Sequence, residues 1–326
     1  MMSVNLDILI QSAYVAFNNN QLQQSMFLLD YALKLVDAHR FSSSVSPLDA
    51  TICLERGLVR KENEDSVLAL HGLLPETGKA FGLFLICDGM GGHAHGQQAA
   101  CLATQTIIEY IFPLLLSGRA SSHDWRSVLT HGVEQANRAI YQRNLQALQG
   151  IPLPTPDNGA QVVGTGFMGT TLTAALLVDT TAYVANVGDS RAYLYTPQRG
   201  LTRITRDHSI VAALLAQNVI TEEEAYHHHQ RNQITRCLGH AVPVDIDSFI
   251  VDLPRNAILL LCSDGLWEMT RDQRIAAILQ LYGASAEQMT RQLLRLAMEG
   301  GALDNIGFVV VQLDGQLVND LRHGRV

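Results

Sequence analysis

The chain has 326 residues, of which 47% are hydrophobic and 17% are charged, a balance typical of a globular protein with a substantial core. Its formal net charge is −8, which argues against nucleic acid or an anionic membrane as the main partner, because both favour clustered Lys and Arg. The first residues lack a basic segment followed by a long apolar core, so we expect no secretory signal and a cytoplasmic location. The five cysteines include no CxxC pair, and we expect buried, reduced thiols.

The first 50 residues differ in pattern from the rest of the chain. Apolar residues recur at helical spacing over Leu6–Phe17 and over Leu22–His39, and three asparagines separate the two segments. The serine run Ser42–Ser44, followed by a proline, is typical of a linker. Residues 1–50 are therefore predicted to form an N-terminal helical extension and linker.

The two predicted helices faintly resemble one tetratricopeptide-type hairpin. A single hairpin of that kind cannot bury its own apolar face, because such repeats need neighbours. We therefore expect the hairpin to dock on the main domain, on a protein partner or on a second copy of the chain. A structural role is favoured over a recognition role.

From about residue 51, short β-rich runs are interrupted by longer helical runs. The predicted strands are Phe81–Cys87, Thr170–Val178, Ala182–Val187, Arg191–Tyr195, Phe249–Asp252, Ala257–Cys262 and Gly307–Leu313. The predicted helices are Gln97–Phe112, Trp125–Gln149, Ser209–Gln217, Arg271–Tyr282 and Ala286–Gly300. This order indicates an α+β fold in which two mainly antiparallel sheets pack together and helices lie outside. Residues 150–166, rich in proline and glycine, are predicted to form a loop.

Four acidic motifs lie near the ends of β-rich runs. A single Asp-Gly pair is usually a turn, but two of these motifs follow almost wholly apolar strands, where an unpaired carboxylate would be costly without a cation. Glycine also lets a backbone carbonyl approach a ligand closely. Several carboxylates with carbonyls and water suit Mg²⁺ or Mn²⁺. The four motifs are Asn63-Glu64-Asp65, Asp88-Gly89-Met90-Gly91-Gly92-His93, Ser263-Asp264-Gly265 and Asp304-Asn305.

These motifs belong to a longer series that resembles the bacterial protein phosphatase 2C type of metal-dependent serine/threonine phosphatases, the PPM family. The matching segments are GLVRKENEDS (57–66), LFLICDGMGGHAHG (83–96), GTTLTAAL (169–176), YVANVGDSRAYLY (183–195), RDHSIVAALLAQNVITEEEA (206–225), RNQITRCLG (231–239), LLLCSDGLWEM (259–269) and DNIGFVVV (304–311). They occur in the family's order, and residues 1–50 lie outside the resemblance. The resemblance implies a four-layer α-β-β-α sandwich at 51–315 with a flap at about 206–240, and leaves 316–326 as a C-terminal tail.

The resemblance also implies a two-metal hydrolase of phosphoserine and phosphothreonine in proteins. Two Mn²⁺ or Mg²⁺ ions would lie between the sheets, and a water bridging them would attack phosphorus. Asp88 would bridge the ions, and Asp65, with Glu64 as a further candidate, would act directly or through a metal-bound water. The implied metal ligands are Asp65, Asp88, the Gly89 carbonyl, Asp264 and Asp304, with Asp189 at a third, weaker metal.

Two further residues receive roles from the resemblance. Arg60 corresponds to the arginine that holds the substrate phosphate, for which its planar fork is well suited. Related enzymes outside bacteria carry a histidine directly after Asp-Gly, where this chain has Met90. His93 is the nearest imidazole; it would either donate the proton to the leaving alkoxide, as a catalytic residue, or only order the loop.

The chain departs from the family pattern at three positions. Glu268 stands where some relatives have a second aspartate of the third metal, so that site is expected to be weaker or bridged by water. Gly307 replaces a usual threonine and Asn218 a frequent glycine. Neither of these two is expected to touch the metal ligands.

The sequence lacks the motifs of two other enzyme classes. The chain has no GxxxxGK[ST] nucleotide motif and no GxSxG elbow of a serine hydrolase. The run His227–His229 is predicted to be an exposed part of the flap, because three successive residues cannot all face one ion. Two alternatives stay open: a phosphatase of one phosphorylated regulator or small phosphoester, and a signalling module of the same fold that binds a partner through the hairpin. The complete aspartate set favours an active enzyme.

Overall fold

The computed structural model describes residues 3–4, 6–37, 48–74, 76–91, 94–117, 123–147, 167–282 and 285–313. The strands are β1 Ser3–Val4, β2 Leu48–Glu55, β3 Asp65–Leu73, β4 Ala80–Met90, β5 Gly169–Thr170, β6 Leu172–Val178, β7 Thr181–Val187, β8 Arg191–Thr196, β9 Gly200–Arg203, β10 Asp247–Asp252, β11 Ile258–Cys262 and β12 Ile306–Leu313. The helices are α1 Leu6–Asn18, α2 Leu22–Asp37, α3 Ala94–Leu116, α4 Trp125–Ala147, α5 Ile210–Ala216, α6 Glu222–His227, α7 Asp264–Tyr282 and α8 Ala286–Glu299.

The strands form two antiparallel sheets. The first has the order β1-β3-β4-β6-β7-β10, with β5 paired to β4, and the second has the order β2-β12-β11-β8-β9. The central strands of each sheet are buried on both faces, as in Leu83–Cys87 and Ile258–Cys262. Such strands are continuous apolar runs because each face packs on a different layer.

Three apolar cores separate four layers. The core between the sheets contains Phe84, Leu259 and Val309. A second core lies between the first sheet and α3 and α4, and a third lies between the second sheet and α7 and α8. The predicted α-β-β-α sandwich is confirmed.

The N-terminal hairpin packs on the main domain. Helix α1 contacts β3 and β2, α2 contacts α3, and β1 pairs with the end of β3 at Ser3↔Leu73. Leu9, Ala13 and Leu28 are buried in the same core as α3. The hairpin therefore buries one apolar face against the first sheet.

Helix α3 is long and apolar enough to cross a membrane by composition, over His95–Leu116. Half of that stretch is buried, and its apolar side chains pack on β4 and on α4. This packing is that of a core helix between a sheet and a second helix.

Several elements differ from the sequence-based expectations. The predicted boundary at residue 50/51 lies inside β2, and β1, β2, β3, β9 and α6 were not predicted. Of the cysteines, which were expected to be buried, Cys53, Cys87, Cys237 and Cys262 are buried and Cys101 is half-buried. The predicted loop at 150–166 and the tail at 316–326 lie outside the described residues.

Candidate metal centre

Two of the predicted carboxylates come from neighbouring strands of the first sheet. Asp65 begins β3 and lies directly opposite Asp88 of β4, so both side chains project from the same face. The backbone at Asp88 is held in place by two threonines. The Asp88 amide donates to Thr171 Oγ1 (3.0 Å), and the Asp88 carbonyl accepts from the Thr171 amide (2.8 Å) and from Thr170 Oγ1 (3.0 Å).

The other two carboxylates come from the second sheet. Asp264 follows β11 as the first residue of α7, and Asp304 lies two residues before β12. Because β11 and β12 are paired, their ends deliver both residues to one edge of the sandwich. Asp264 Oδ1 is buried and has no hydrogen-bond partner among the residues that the structure describes. A buried carboxylate oxygen without a partner is costly unless a cation satisfies it.

The four carboxylates lie close enough to change one another's ionisation. Burial, followed by repulsion from Asp65 and Asp264, raises the pKa of Asp88 well above its usual range. Burial raises the pKa of Asp65 to about 7, although a hydrogen bond from Ser263 opposes the shift. Burial and neighbouring carboxylates also raise the pKa of Asp264. The cluster is therefore a concentration of negative charge that favours protons or cations.

The donor set fits a hard divalent cation. Carboxylate oxygens predominate, and among the described residues Asp264 Oδ1 has no hydrogen-bond partner. In that part of the chain no three His, Cys, Asp or Glu side chains are arranged to hold an ion by themselves. Backbone carbonyls and waters would have to complete the coordination, as they can for Mg²⁺, which keeps several waters.

Gly89 lies beside this cluster in a position where only glycine fits. Its amide donates to the Glu64 carbonyl (3.2 Å), and a Cβ there would collide with the carbonyl oxygens of Glu64 and Gly96. The backbone of β4 thus packs closely on the loop that carries Glu64 and on the start of α3, and the role of the Gly89 carbonyl stays a prediction.

Asp189 lies close enough to Asp264 and to Glu268 for their charges to interact. It is buried, and burial, with repulsion from Asp207, raises its pKa to about 7. Burial also raises the pKa of Glu268, and the flap residue Arg231 lies 4.0 Å from the Glu268 carboxylate. Asp189 and Glu268 each contribute to the raised pKa of Asp264, so these acids form one extension of the main cluster.

Comparisons with known proteins point to one family. Residues 69–300 match the sequence model of a family described as protein phosphatase 2C. The serine/threonine phosphatase stp of Listeria monocytogenes serotype 4b is 30% identical over 260 residues, which cover 80% of this chain and 94% of that protein. The chain belongs to the protein phosphatase 2C family. It is a serine/threonine protein phosphatase.

Solved structures agree with this assignment. The Mycobacterium tuberculosis serine/threonine phosphatase PstP/Ppp matches with a TM-score of 0.65 and 33% identity, covering 82% of this chain and 99% of that chain. The catalytic domain of PstP in complex with 2 manganese ions matches with a TM-score of 0.64 and 31% identity, covering 82% of this chain and 98% of that chain.

In this protein phosphatase 2C chain, the predicted phosphate-binding arginine contacts a predicted metal ligand. An Arg60 guanidinium nitrogen donates to Asp304 Oδ2 at 2.5 Å. The Arg60 side chain is 51% exposed. Arg60 belongs to the loop before β3, and its guanidinium therefore lies at the solvent-facing edge of the carboxylate cluster, which we call the mouth of the cluster.

Two of the remaining sequence predictions concern His93 and the flap. His93 lies outside the described residues, so its role stays a prediction. The isolated bridge Thr170↔Leu238 joins the flap to β5, whereas the bridge Ser209↔Ile234 lies within the flap. Within it, His227 ends α6 and is exposed, and the rings of His228 and His229 lie 4.5 Å apart.

The expectation that Gly307 stays clear of the metal ligands is wrong. A Cβ on Gly307 would lie 2.8 Å from Asp65 Oδ2, which is closer than normal contact. Its amide and carbonyl also bond Ser263, at 2.9 Å to the hydroxyl and 2.8 Å to the amide. The missing side chain leaves room for the Asp65 carboxylate. Asn218, in contrast, occupies a left-handed turn with φ 55°, a conformation that asparagine tolerates.

Sequence reasoning missed the residues that orient the acids. Ser263 Oγ donates to Asp65 Oδ2 at 2.7 Å, and the Asp65 amide donates to Asn63 Oδ1 at 3.0 Å. Asn305 accepts from the Glu64 amide at 2.8 Å and so ties the Asp304 loop to the Asp65 loop. All three lie within the acidic motifs, so adjacency to a predicted ligand was the available signal.

Proposed function

We propose that this protein phosphatase 2C chain hydrolyses phosphoserine and phosphothreonine in protein substrates of serine/threonine kinases, at the carboxylate cluster shared by the two sheets. The observation that carries the proposal is that Asp65 of one sheet, with Asp264 and Asp304 of the other, lies close enough to Asp88 to raise its pKa. Family membership and the related phosphatases support the reaction. The buried, unsatisfied Asp264 oxygen supports a cation at this point.

The proposed ion is Mn²⁺ or Mg²⁺, two per chain, held by Asp88, Asp65, Asp264, Asp304 and the Gly89 carbonyl. The related structure with 2 manganese ions makes Mn²⁺ the first ion to test. When bound, the two cations would supply positive charge that activates water and offsets charge on the phosphoryl oxygens. A third, weaker ion is proposed at Asp189, because Asp189 and Glu268 extend the cluster.

The remaining residues bind and orient the substrate. Arg60 lies at the mouth and offers a planar fork to phosphate. Its bond to Asp304 keeps the guanidinium over the cluster. His93 is proposed as the proton donor to the leaving alkoxide, since it is the nearest imidazole in the sequence.

The test is hydrolysis of p-nitrophenyl phosphate and of a phosphothreonine peptide by the purified chain in the presence of Mn²⁺. Activity should require Mn²⁺ or Mg²⁺, should be removed by EDTA, and should be lost in Asp88→Asn. Asp245→Asn, which changes an exposed aspartate after the flap, is the matched control and should remain active. Full activity of Asp88→Asn would overturn the proposal.

A further inference from the structure

A glutamine of the N-terminal hairpin contacts the backbone of a predicted metal ligand. Gln21 lies in the turn between α1 and α2 and is only 1% exposed. Its side-chain amide donates to the backbone carbonyl of Asp65 and, at 3.4 Å, to that of Asn63. The contact spans 44 residues of sequence.

Two neighbours of Gln21 reinforce this contact. Asn19 accepts from the Asn63 side-chain amide at 2.9 Å and donates to the Leu54 carbonyl at 2.7 Å. Gln24 donates to the Val67 carbonyl at 3.3 Å and accepts from the Ser66 hydroxyl at 2.9 Å. The hairpin turn is thus bonded to β3 and to the loop before it.

These bonds occupy the outer edge of β3. Strand β4 pairs with β3 along its whole length, whereas β1 pairs only with Gly72 and Leu73 at the far end. Near Asp65 and Val67 the outward carbonyls accept glutamine side chains instead of a strand. Buried backbone carbonyls need such partners. At the end of β3 that carries Asp65, the two glutamines supply the hydrogen bonds that a neighbouring strand would otherwise supply.

Gln21 is not an ideal structural residue. Its side-chain carbonyl oxygen is buried and finds no hydrogen-bond partner in the described part of the chain, which is unfavourable. An apolar side chain of the same length would avoid that cost. The amide group is therefore explained by the two bonds that it donates to the loop carrying the site acids.

We propose that Gln21 is a positioning residue of the metal centre, through which the hairpin sets the orientation of Asp65 and so the affinity for the divalent cation. The inference rests on the proposed function. The family model matches residues 69–300, so the hairpin, like Asp65 itself, lies before that match. Residues that orient metal ligands typically change metal affinity or activity by about 10- to 100-fold when replaced.

The experiment compares Gln21→Met with the wild type. Methionine keeps the length and approximate volume but donates no hydrogen bond. Mn²⁺ binding to the metal-free protein is measured by isothermal titration calorimetry, and half-saturating Mn²⁺ is measured in p-nitrophenyl phosphate hydrolysis. The dissociation constant for Mn²⁺ and the half-saturating Mn²⁺ concentration should each rise about tenfold. Saturating Mn²⁺ should restore most of kcat. Gln11→Met, at an exposed position of α1, is the control and should leave both constants unchanged.

The outcomes separate this inference from the proposed function. Unchanged Mn²⁺ binding and half-saturation in Gln21→Met, with an active wild type, would overturn the positioning role. A wild type without metal-dependent hydrolysis would instead overturn the proposed function. If circular dichroism shows that Gln21→Met does not fold, Asn19→Ala decides: weaker Mn²⁺ binding supports the role, and unchanged binding contradicts it.

Discussion

Asp65 and Asp88 occupy directly opposed positions in the antiparallel pair of β3 and β4. Like charges at opposed positions destabilise a sheet, and burial increases the cost of charging either group. A cation bound at this end of the first sheet would therefore relieve the repulsion between the two carboxylates. Asp264 and Asp304 of the second sheet increase that repulsion.

The first prediction concerns the metal-free protein between about pH 6.5 and 8.5. The pKa of Asp65 is raised to about 7 in the folded chain, so the folded chain retains protons that the unfolded chain has released. Stability must then fall as pH rises through this window. His71, whose burial lowers its pKa to about 4, is neutral in the folded chain throughout this window. In the unfolded chain its ordinary pKa is about 6.5, so it opposes the fall only at the lower end of the window. The midpoint of thermal unfolding in EDTA should fall by several degrees.

The same measurement has two internal controls. Asp88→Asn should flatten the fall with pH and raise the midpoint at high pH, because it removes one of the repelling charges, whereas Asp245→Asn should behave as the wild type. Mn²⁺ should stabilise the wild type most at high pH, where it competes with fewer protons. A metal-free wild type whose stability rises with pH across this window would contradict the account.

The second prediction concerns Ser263→Ala. The Ser263 hydroxyl donates to Asp65 Oδ2 at 2.7 Å and lowers the pKa of that carboxyl against the effect of burial. Without this bond the carboxyl holds its proton to higher pH, so the acidic limb of the pH–rate profile should move upward by about one pH unit. The matched control is Ser127→Ala, which removes a 2.6 Å Ser–Asp bond on the exposed start of α4. An unmoved acidic limb in Ser263→Ala would show that the bond does not tune Asp65.

The third prediction concerns Arg60→Lys. Lysine keeps the positive charge but lacks the planar guanidinium that forms two parallel hydrogen bonds. The variant should therefore bind the substrate phosphate more weakly while the aspartates stay in place. KM for a phosphothreonine peptide should rise about tenfold with a smaller change in kcat, the loss expected for one charged hydrogen bond. Arg56→Lys, nearby and also exposed, is the control. An equal KM in Arg60→Lys and the wild type would remove Arg60 from substrate binding.

Much of the fold and the acidic core of the site could be predicted from the sequence. Asp88 and Asp264 could be singled out because each follows an apolar strand and precedes glycine, where an uncompensated carboxylate is costly. The strand β3 was missed because its continuously apolar part, Val67–Leu70, is short and buried on both faces, so DSVLALHGL shows no alternation of apolar and polar residues. Periodicity alone does not distinguish such a run from a helical segment.

The supporting residues could not be predicted for a different reason. Gln21 donates hydrogen bonds to backbone carbonyls far away in the sequence. Because every residue has a backbone carbonyl, such a contact requires no particular residue type at the partner position and cannot be recognised from the sequence. Gly307 matters through an absent side chain, and its nearness to Asp65 depends on how β12 of one sheet faces β3 of the other. Such contacts are set by tertiary packing, which local pattern does not encode.

The most direct test of the account is the stoichiometry of Mn²⁺ binding, measured by isothermal titration calorimetry of the metal-free chain near neutral pH. The account predicts two tightly bound ions per chain in the wild type and in Asp245→Asn, with at least one lost in Asp88→Asn. Fewer than two ions in the wild type, or two ions bound with unchanged affinity by Asp88→Asn, would contradict a two-metal centre built on these aspartates.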